Sequence, residues 1–281
     1  MDYIPKVSVV VISYNTGQRL LETLESIINQ SYENIEIIIA DDNSTDDSIN
    51  MYKKWIEEKK ETLKNINIIL LDNKVNRGIE KNIFNAIQKS SGDFIKVIGD
   101  DIMERSYIEK LVYCYEKSKN KKIIWCPDVV AFSDTNEDIS ATESYIKEYK
   151  NFLNLSQEEQ KKEIVKLNYL IAPTIDFFPR NVIYELNLFN LGFNYIEDWP
   201  CWIVLSQNGY KFSYLNDILL RYRVYGNSIS RTNNYRSNYW QTYAKLYFKM
   251  RFKLLLKYKY YKTFFKEFLR STYIMLLKLF K

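Results

Sequence analysis

The chain has 281 residues, 46% of them hydrophobic and 16% aromatic, enough for one large or two small domains with a sizeable core, so wholesale disorder is excluded. With 27% charged residues, 7 glycines and 5 prolines it is neither low-complexity nor collagen-like, and 40 bases against 35 acids is too small an excess to indicate nucleic acid. Histidine is absent, which excludes a Ser/His/Asp triad and any histidine base. The three cysteines, Cys114, Cys126 and Cys201, have no zinc-finger spacing and read as reduced thiols of a cytoplasmic protein. No uncharged stretch reaches the roughly 18 residues a membrane span requires, and Asp2, Pro5 and Lys6 before a short Val/Ile run do not form a signal peptide, so neither spanning nor export is expected.

Lys6 to Ser13 is a β-branched run too short for a helix and closed by Tyr14-Asn15-Thr16-Gly17, which predicts a buried strand ending in a loop. Leu20, Leu21, Leu24, Ile27 and Ile28 then recur at helical spacing. The alternation continues with strands at Ile35 to Ala40, Ile66 to Leu71, Phe94 to Ile98 and Ile123 to Cys126, and helices at Ser44 to about Leu63, Glu80 to Lys89 and Glu104 to Lys117. Such alternation implies parallel βαβ units and a three-layer α/β sheet over residues 1 to about 130. Residues 133 to 168 are polar and acidic and predict an insertion beside the sheet, with Ser156-Gln-Glu-Glu shaped as a helix start. Ala172 to Ser230 holds short elements dense in aromatics, and no solenoid repeat is present.

Ligands of a parallel α/β sheet bind at the carboxyl ends of its strands, and acids cluster there. The second strand runs into Asp41-Asp42-Asn43-Ser44-Thr45-Asp46 and the fourth into Gly99-Asp100-Asp101. Each cluster alone reads equally well as a helix cap or turn. Two carboxylate pairs at neighbouring strand ends suit a hard cation, or hydrogen bonds to ribose hydroxyls and a base N–H.

These segments, in this order, resemble family 2 glycosyltransferases of the GT-A fold. Lys6-Val-Ser-Val-Val-Val-Ile-Ser-Tyr-Asn15 is similar to the opening strand of that family, Gln30 to Asp46 to its second, and Asn76-Arg-Gly78 to the loop that follows. Gly92 to Asp101 resembles the segment with the DXD-type motif, Glu197-Asp198-Trp199 the late ED motif, and Arg221-Tyr-Arg-Val-Tyr-Gly-Asn-Ser-Ile-Ser230 the closing pattern. The resemblance covers residues 6 to about 230. It implies a GT-A domain at 1–232, with a nucleotide-binding half at 1–130 and an acceptor half at 131–232. It also implies an inverting transfer of a hexose or N-acetylhexosamine from a UDP-sugar to a saccharide hydroxyl. By position, Ser13, Tyr14 and Asn15 border the base, Asp42 accepts the uracil N–H, Arg77 lies near base or diphosphate and Asp100 near the ribose. Asp101 binds the Mn²⁺ or Mg²⁺ that bridges the diphosphate, Arg223 and Tyr225 complete the nucleotide site, and Asp198 is the general base.

Two departures stand out. Ile98 occupies the place of the first acid of the commonest motif, and Tyr225 stands where relatives usually have His. A protonated phenol donates to phosphate oxygen but ligates Mn²⁺ poorly, so strict metal dependence does not follow. A nucleotidyltransferase would need a glycine-rich phosphate loop after the first strand, where only Gly17 stands, and a non-catalytic binding module would not require Asp42, Asp101 and Asp198 together.

Residues 233–281 lack glycine and proline, and 245–281 hold eleven bases against Glu267 alone, a charge of +10 that leaves about −5 for the rest. Tyr261, Phe264, Phe265, Phe268, Leu269, Leu276 and Leu279 share one face of a helix, opposite Lys259, Lys262, Lys266 and Arg270. This predicts a basic amphipathic tail that docks on anionic lipid at the inner face of the plasma membrane, near a lipid-linked acceptor. Packing back on the domain, or a homodimer seam, are the alternatives, and the acidic remainder argues against nucleic acid.

Overall fold

The computed structural model describes residues 3–136, 138–194, 196–225, 249–250, 252–262 and 265. In chain order the elements are β1 (Val7–Ser13), α1 (Gln18–Ile28), β2 (Ile35–Asp41), α2 (Ser48–Glu58), α3 (Lys60–Leu63), β3 (Asn67–Asp72), α4 (Ile79–Lys89), β4 (Phe94–Ile98), β5 (Ile102–Met103), α5 (Tyr107–Lys117), β6 (Ile123–Phe132), α6 (Ser140–Leu153), α7 (Gln157–Glu163), α8 (Ala172–Ile175), β7 (Phe177–Pro179), α9 (Arg180–Leu186), α10 (Asp198–Gln207) and β8 (Lys211–Arg223).

Five strands form the main sheet in the order β3-β2-β1-β4-β7. The first four are parallel, while β7 runs antiparallel to β4. β1 and β2 are buried along almost their whole length, which is why their sequences are near-continuous Val/Ile runs. Strand order reverses at β1, with β2 on one side and β4 on the other, so the crevice between the carboxyl ends of β1 and β4 is the topological switch point. The two acidic clusters, at the ends of β2 and β4, are therefore not adjacent as expected but flank the end of β1.

A second sheet, β5-β8-β6, carries the rest of the chain. The strand expected to stop at Cys126 continues to Phe132 and pairs in parallel with β8, outside the main sheet. The helix expected from Glu104 begins at Tyr107, because Ile102 and Met103 pair antiparallel with Arg221 and Leu220. That pairing spans more than a hundred residues, and no local pattern announces it. The helix expected from Ser44 begins at Ser48 instead. Asp41 accepts the Ser44 N–H and hydroxyl, and Asn15 Oδ1 accepts the Thr45 N–H, which holds this stretch as a loop. The polar segment 133–168 is the helix pair α6 and α7, and it belongs to the core through Ile146, Tyr149, Phe152 and Leu153. Its Ser156/Glu159 capping box is formed as the sequence predicted.

The described part of the tail packs on this body. Met250, Leu254 and Leu255 are buried, Lys253 Nζ lies 5.4 Å from the Phe193 ring centroid, and the Tyr260 hydroxyl donates to the Lys161 carbonyl at 3.1 Å. The helix does not run on through Lys259, which has φ 62°: Tyr260 N–H donates to Leu255 O and Lys259 N–H to Leu256 O, a C-terminal cap that ends the helix. One continuous amphipathic helix through 259–270 is thus corrected at its start. Tyr261 and Phe265 are exposed, while Phe264, Lys266, Phe268, Leu269, Arg270, Leu276 and Leu279 lie outside the described residues.

Candidate active site

At the end of β1 the Ser13 hydroxyl is buried and bonded to Asp41 (3.0 Å), Thr16 (2.9 Å) and Tyr52 (2.8 Å), facing the protein and not the crevice. The Ser13 hydroxyl thus shapes the loop at the end of β1. Tyr14 is exposed. Asn15 takes φ 54°, and its N–H and side-chain oxygen tie it to Ser44 and Thr45, which fixes the β1 loop to the β2 loop.

Asp42 is 4% exposed, and its two oxygens accept the N–H groups of Arg77 (2.8 Å) and Gly78 (2.7 Å). The loop before α4 is thereby held over the end of β2, with the Arg77 side chain exposed. Gly78, at φ 80°, has no room for a Cβ, which would lie 2.2 Å from Asn194 Nδ2.

Asp100 and Asp101 begin at the end of β4 and are fixed from two sides. Arg19 of α1 reaches Asp100 at 3.2 Å and lies 4.2 Å from the Tyr225 ring centroid, and the Tyr225 phenol is hydrogen-bonded to Asp100. Burial and the adjacent Asp100 charge raise the phenol's pKa, so Tyr225 is a donor throughout the neutral range. Asp101 Oδ1 accepts the Arg223 N–H at 2.8 Å, and its carboxyl is pushed up to about 7 by burial and by Asp100. Arg223 does not face the crevice. Its fully buried guanidinium, expected in the nucleotide site, donates to the Asp100 carbonyl, to Glu22 at 2.6 Å and to Asp134, a strut that joins β8, α1 and the DXD-type loop.

Asp198 opens α10 and accepts the Trp199 N–H at 2.5 Å, while Glu197 makes no side-chain cap bond. Burial pushes Asp198 up to about 6, against the pull of that N–H. Burial and the Asp198 charge raise Glu197 as well. Beneath them lie two residues that sequence reasoning missed. Lys96 is fully buried in β4, and Asp176 is buried at the start of β7 with its Oδ1 lacking a hydrogen-bond partner. Burial drives the lysine down and the aspartate up, and their mutual attraction opposes both shifts. Lys96 also feels Asp101, and Asp176 feels Asp198, so the pair lies electrostatically between the ends of β4 and α10. A lysine inside an otherwise apolar strand flanked on both sides was the available signal; Asp176 sits in a stretch with no periodicity.

Among the described residues no three carboxylate, Cys or His groups gather into a cage for a metal. What the site offers is Asp101, whose raised pKa reflects a buried negative charge short of neutralisation, with Asp100 beside it. That donor set fits a hard divalent cation completed by substrate oxygens and water, the habit of Mg²⁺ and Mn²⁺ in phosphate sites.

Comparison with known proteins agrees with this arrangement. The glycosyl transferase family 2 model matches residues 8–182. An uncharacterised glycosyltransferase of Haemophilus influenzae is 32% identical over 84% of this chain and 70% of its own. The UDP-Glc:α-D-GlcNAc-diphosphoundecaprenol β-1,3-glucosyltransferase WfaP of Escherichia coli is 27% identical over 80% of this chain and 82% of its own. Among solved structures, residues 1–349 of S. aureus TarS in complex with UDP-GlcNAc superpose with a TM-score of 0.62 at 17% identity, over 89% of this chain and 66% of that one. The switch-point crevice, its acidic strand ends and these matches lead to one conclusion: the chain belongs to glycosyl transferase family 2, has the GT-A fold, and is a glycosyltransferase.

Proposed function

We propose that this enzyme transfers a hexose or N-acetylhexosamine from a UDP-sugar to a hydroxyl of a lipid-linked saccharide, with inversion. The observation that carries the reading is that Asp101 follows β4 at the carboxyl end of the sheet while Asp198 opens α10, with the buried Lys96 and Asp176 within range of each other's charge and of Asp101 and Asp198 respectively. Tyr14, Asn15, Asp42 and Arg77 border the nucleotide; Asp42 holds the Arg77–Gly78 loop and retains lone pairs for the uracil N–H. Arg19 and Tyr225 hold Asp100 toward the ribose. Asp101, with Asp100 near it, would hold Mn²⁺ or Mg²⁺, which supplies charge neutralisation for the departing UDP. Asp198 takes the proton of the acceptor hydroxyl as that oxygen attacks the anomeric carbon from the face opposite UDP. The names of relatives support donor and acceptor class: WfaP uses UDP-Glc and a diphosphoundecaprenol-linked sugar, and the TarS structure holds UDP-GlcNAc.

The test is turnover of UDP-Glc, UDP-Gal, UDP-GlcNAc and UDP-GalNAc, followed by NMR of the product. An α-linked donor is expected to give a β-glycoside; retention of configuration would contradict the single displacement. The tail belongs to the same proposal: 245–281, at +10, draws the enzyme to anionic lipid with about 1 kcal/mol per base near the surface, at the inner face of the plasma membrane. Among the described residues no helix is long and apolar enough to cross a membrane.

A further inference from the structure

The loop that leads into α10 is bent, and a carboxylate with no part in the reading above holds it. Asn187, Phe189 and Gly192 all have positive φ (54°, 57° and 84°), a conformation that a phenylalanine keeps only when its surroundings enforce it. The Phe189 N–H donates to Cys201 Sγ at 3.2 Å, and Glu80, 3% exposed in the first turn of α4, holds the stretch around Gly192. Its Oε1 accepts the N–H groups of Leu191 (2.6 Å) and Gly192 (2.9 Å), and its Oε2 accepts that of Phe193 (2.8 Å). Three consecutive backbone donors on one buried carboxylate form charge-assisted bonds stronger than neutral ones. Asn194, the next residue, donates to the Arg77 carbonyl at 2.7 Å and fills the space left by the missing Gly78 side chain. Residues 77–80 are thus gripped by Asp42 on one side and grip 191–194 on the other, four residues before Asp198.

We propose that Glu80 is a positioning residue for Asp198, and that with Asn194 it couples nucleotide binding at Asp42 to the placement of the base. The proposal rests on the reading of Asp198 as general base. A nucleotide that orders the Arg77–Gly78 loop orders the 191–194 loop through the same hydrogen bonds, and the start of α10 follows. Glutamine in place of Glu80 keeps the size but replaces one acceptor oxygen by a donor, which faces another donor and releases part of the loop.

The experiment compares the full chain with Glu80→Gln, Asp198→Asn and the double variant. Turnover is read as UDP release from the UDP-sugar that the donor screen identifies, binding as calorimetry of UDP itself, and loop order as hydrogen exchange of the Leu191 to Phe193 amides with and without UDP. Glu80→Gln should lower kcat about 10- to 100-fold, the scale of a small misplacement of a catalytic group, with the UDP dissociation constant changed by no more than about two-fold. In the Asp198→Asn background the same change should cost less than about two-fold further, since both act through one group. UDP should slow exchange of the three amides in the parent and lose that effect in Glu80→Gln. If the glutamine variant does not fold, Glu80→Asp, too short to span three donors, should show the same split. Losses that multiply in the double variant, UDP binding that falls as far as turnover, or amide exchange indifferent to UDP in the parent would overturn the proposal while leaving the base intact. Parent-like turnover in Asp198→Asn would instead remove the base, and Glu80's role with it.

Discussion

Burial denies the Asp198 carboxylate a solvent shell and holds its proton to about pH 6, where an ordinary aspartate would have lost it near 4. A general base works in its ionised form, so kcat should rise with pH through about 6 and level off above it, a limb that pH–rate profiles measure. Asp198→Asn should remove that limb and lower transfer about 10²- to 10⁴-fold, with UDP binding nearly unchanged, because the base acts on the acceptor hydroxyl and not on the nucleotide. Asp101 faces a different demand. Its folded pKa, raised to about 7, lies above the unfolded value, so its contribution to stability is complete at low pH and is lost as pH rises through about 7. The ligand-free protein should therefore melt at a lower temperature at pH 8 than at pH 5.5, and Asp101→Asn should flatten that trend. Calorimetry should show UDP binding that responds to Mn²⁺ in the parent but not in Asp101→Asn, whereas Asp42→Ala should weaken UDP binding with or without the ion. An identical metal response in the Asp101 and Asp42 variants would show that these roles are misassigned.

Elements place these residues by meeting in pairs. The β1 and β2 loops are sewn together by Asn15, Ser44 and Thr45, and the β4 and β8 ends by Arg223 with Asp100 and Asp101. The α4 loop and the loop before α10 meet where Gly78 leaves room for Asn194. Gly78→Ala should combine a left-handed backbone that alanine resists with a Cβ placed in the Asn194 side chain, at a cost of about 1 to 3 kcal/mol. Thermal unfolding and UDP calorimetry should both register it, since the Arg77–Gly78 peptide lies against Asp42. α10 itself is apolar on nearly every side, from Trp199 to Ser206, which marks it as an interior helix able to hold Asp198 rigidly at its N-terminus.

For the whole molecule the question is what the tail does for the body. Met250, Leu254 and Leu255 are as buried as the sheet core, and full burial of one such side chain is worth about 1.5 to 3 kcal/mol. A chain that ends at Asn238 loses these contacts, whereas one that ends at Lys262 keeps them and removes the bases and aromatics beyond. The shorter chain should melt lower, by on the order of 5 °C or more, and the longer one close to the parent. Liposome co-sedimentation should separate the two roles: the chain ending at Asn238 should lose salt-sensitive binding to anionic vesicles, whereas the chain ending at Lys262, which keeps seven of the eleven bases, should retain part of it. Parent-like sedimentation of the chain ending at Asn238 would place lipid binding elsewhere. The division at 232 into catalytic domain and tail is, on this view, a division of roles and not of packing.

The sequence by itself determined the elements whose cause is local and the chemistry of the strand ends. Continuous β-branched runs such as Val7–Ser13 and Ile35–Asp41 can be stable only as buried strands, and their alternation with helices dictates a parallel sheet with ligands at its carboxyl ends. The Ser156/Glu159 cap needs only a four-residue span. Asp42, Asp101 and Asp198 could be named as candidates because each stands in a short motif at an element's end. Tertiary structure decided how two other named side chains are turned: besides the nearby Thr16, Ser13 bonds Asp41 and Tyr52, and Arg223 bonds Glu22 and Asp134, long-range contacts that no local pattern encodes. It also decided the second sheet, since Ile102 finds Arg221 only once the chain has returned, and the burial of Lys96 and Asp176 within range of each other's charge. Glu80 is the plainest case. In the sequence it is an ordinary acid in a helix's first turn, and only the return of residues 191–193 more than a hundred positions later gives its carboxylate three donors to hold.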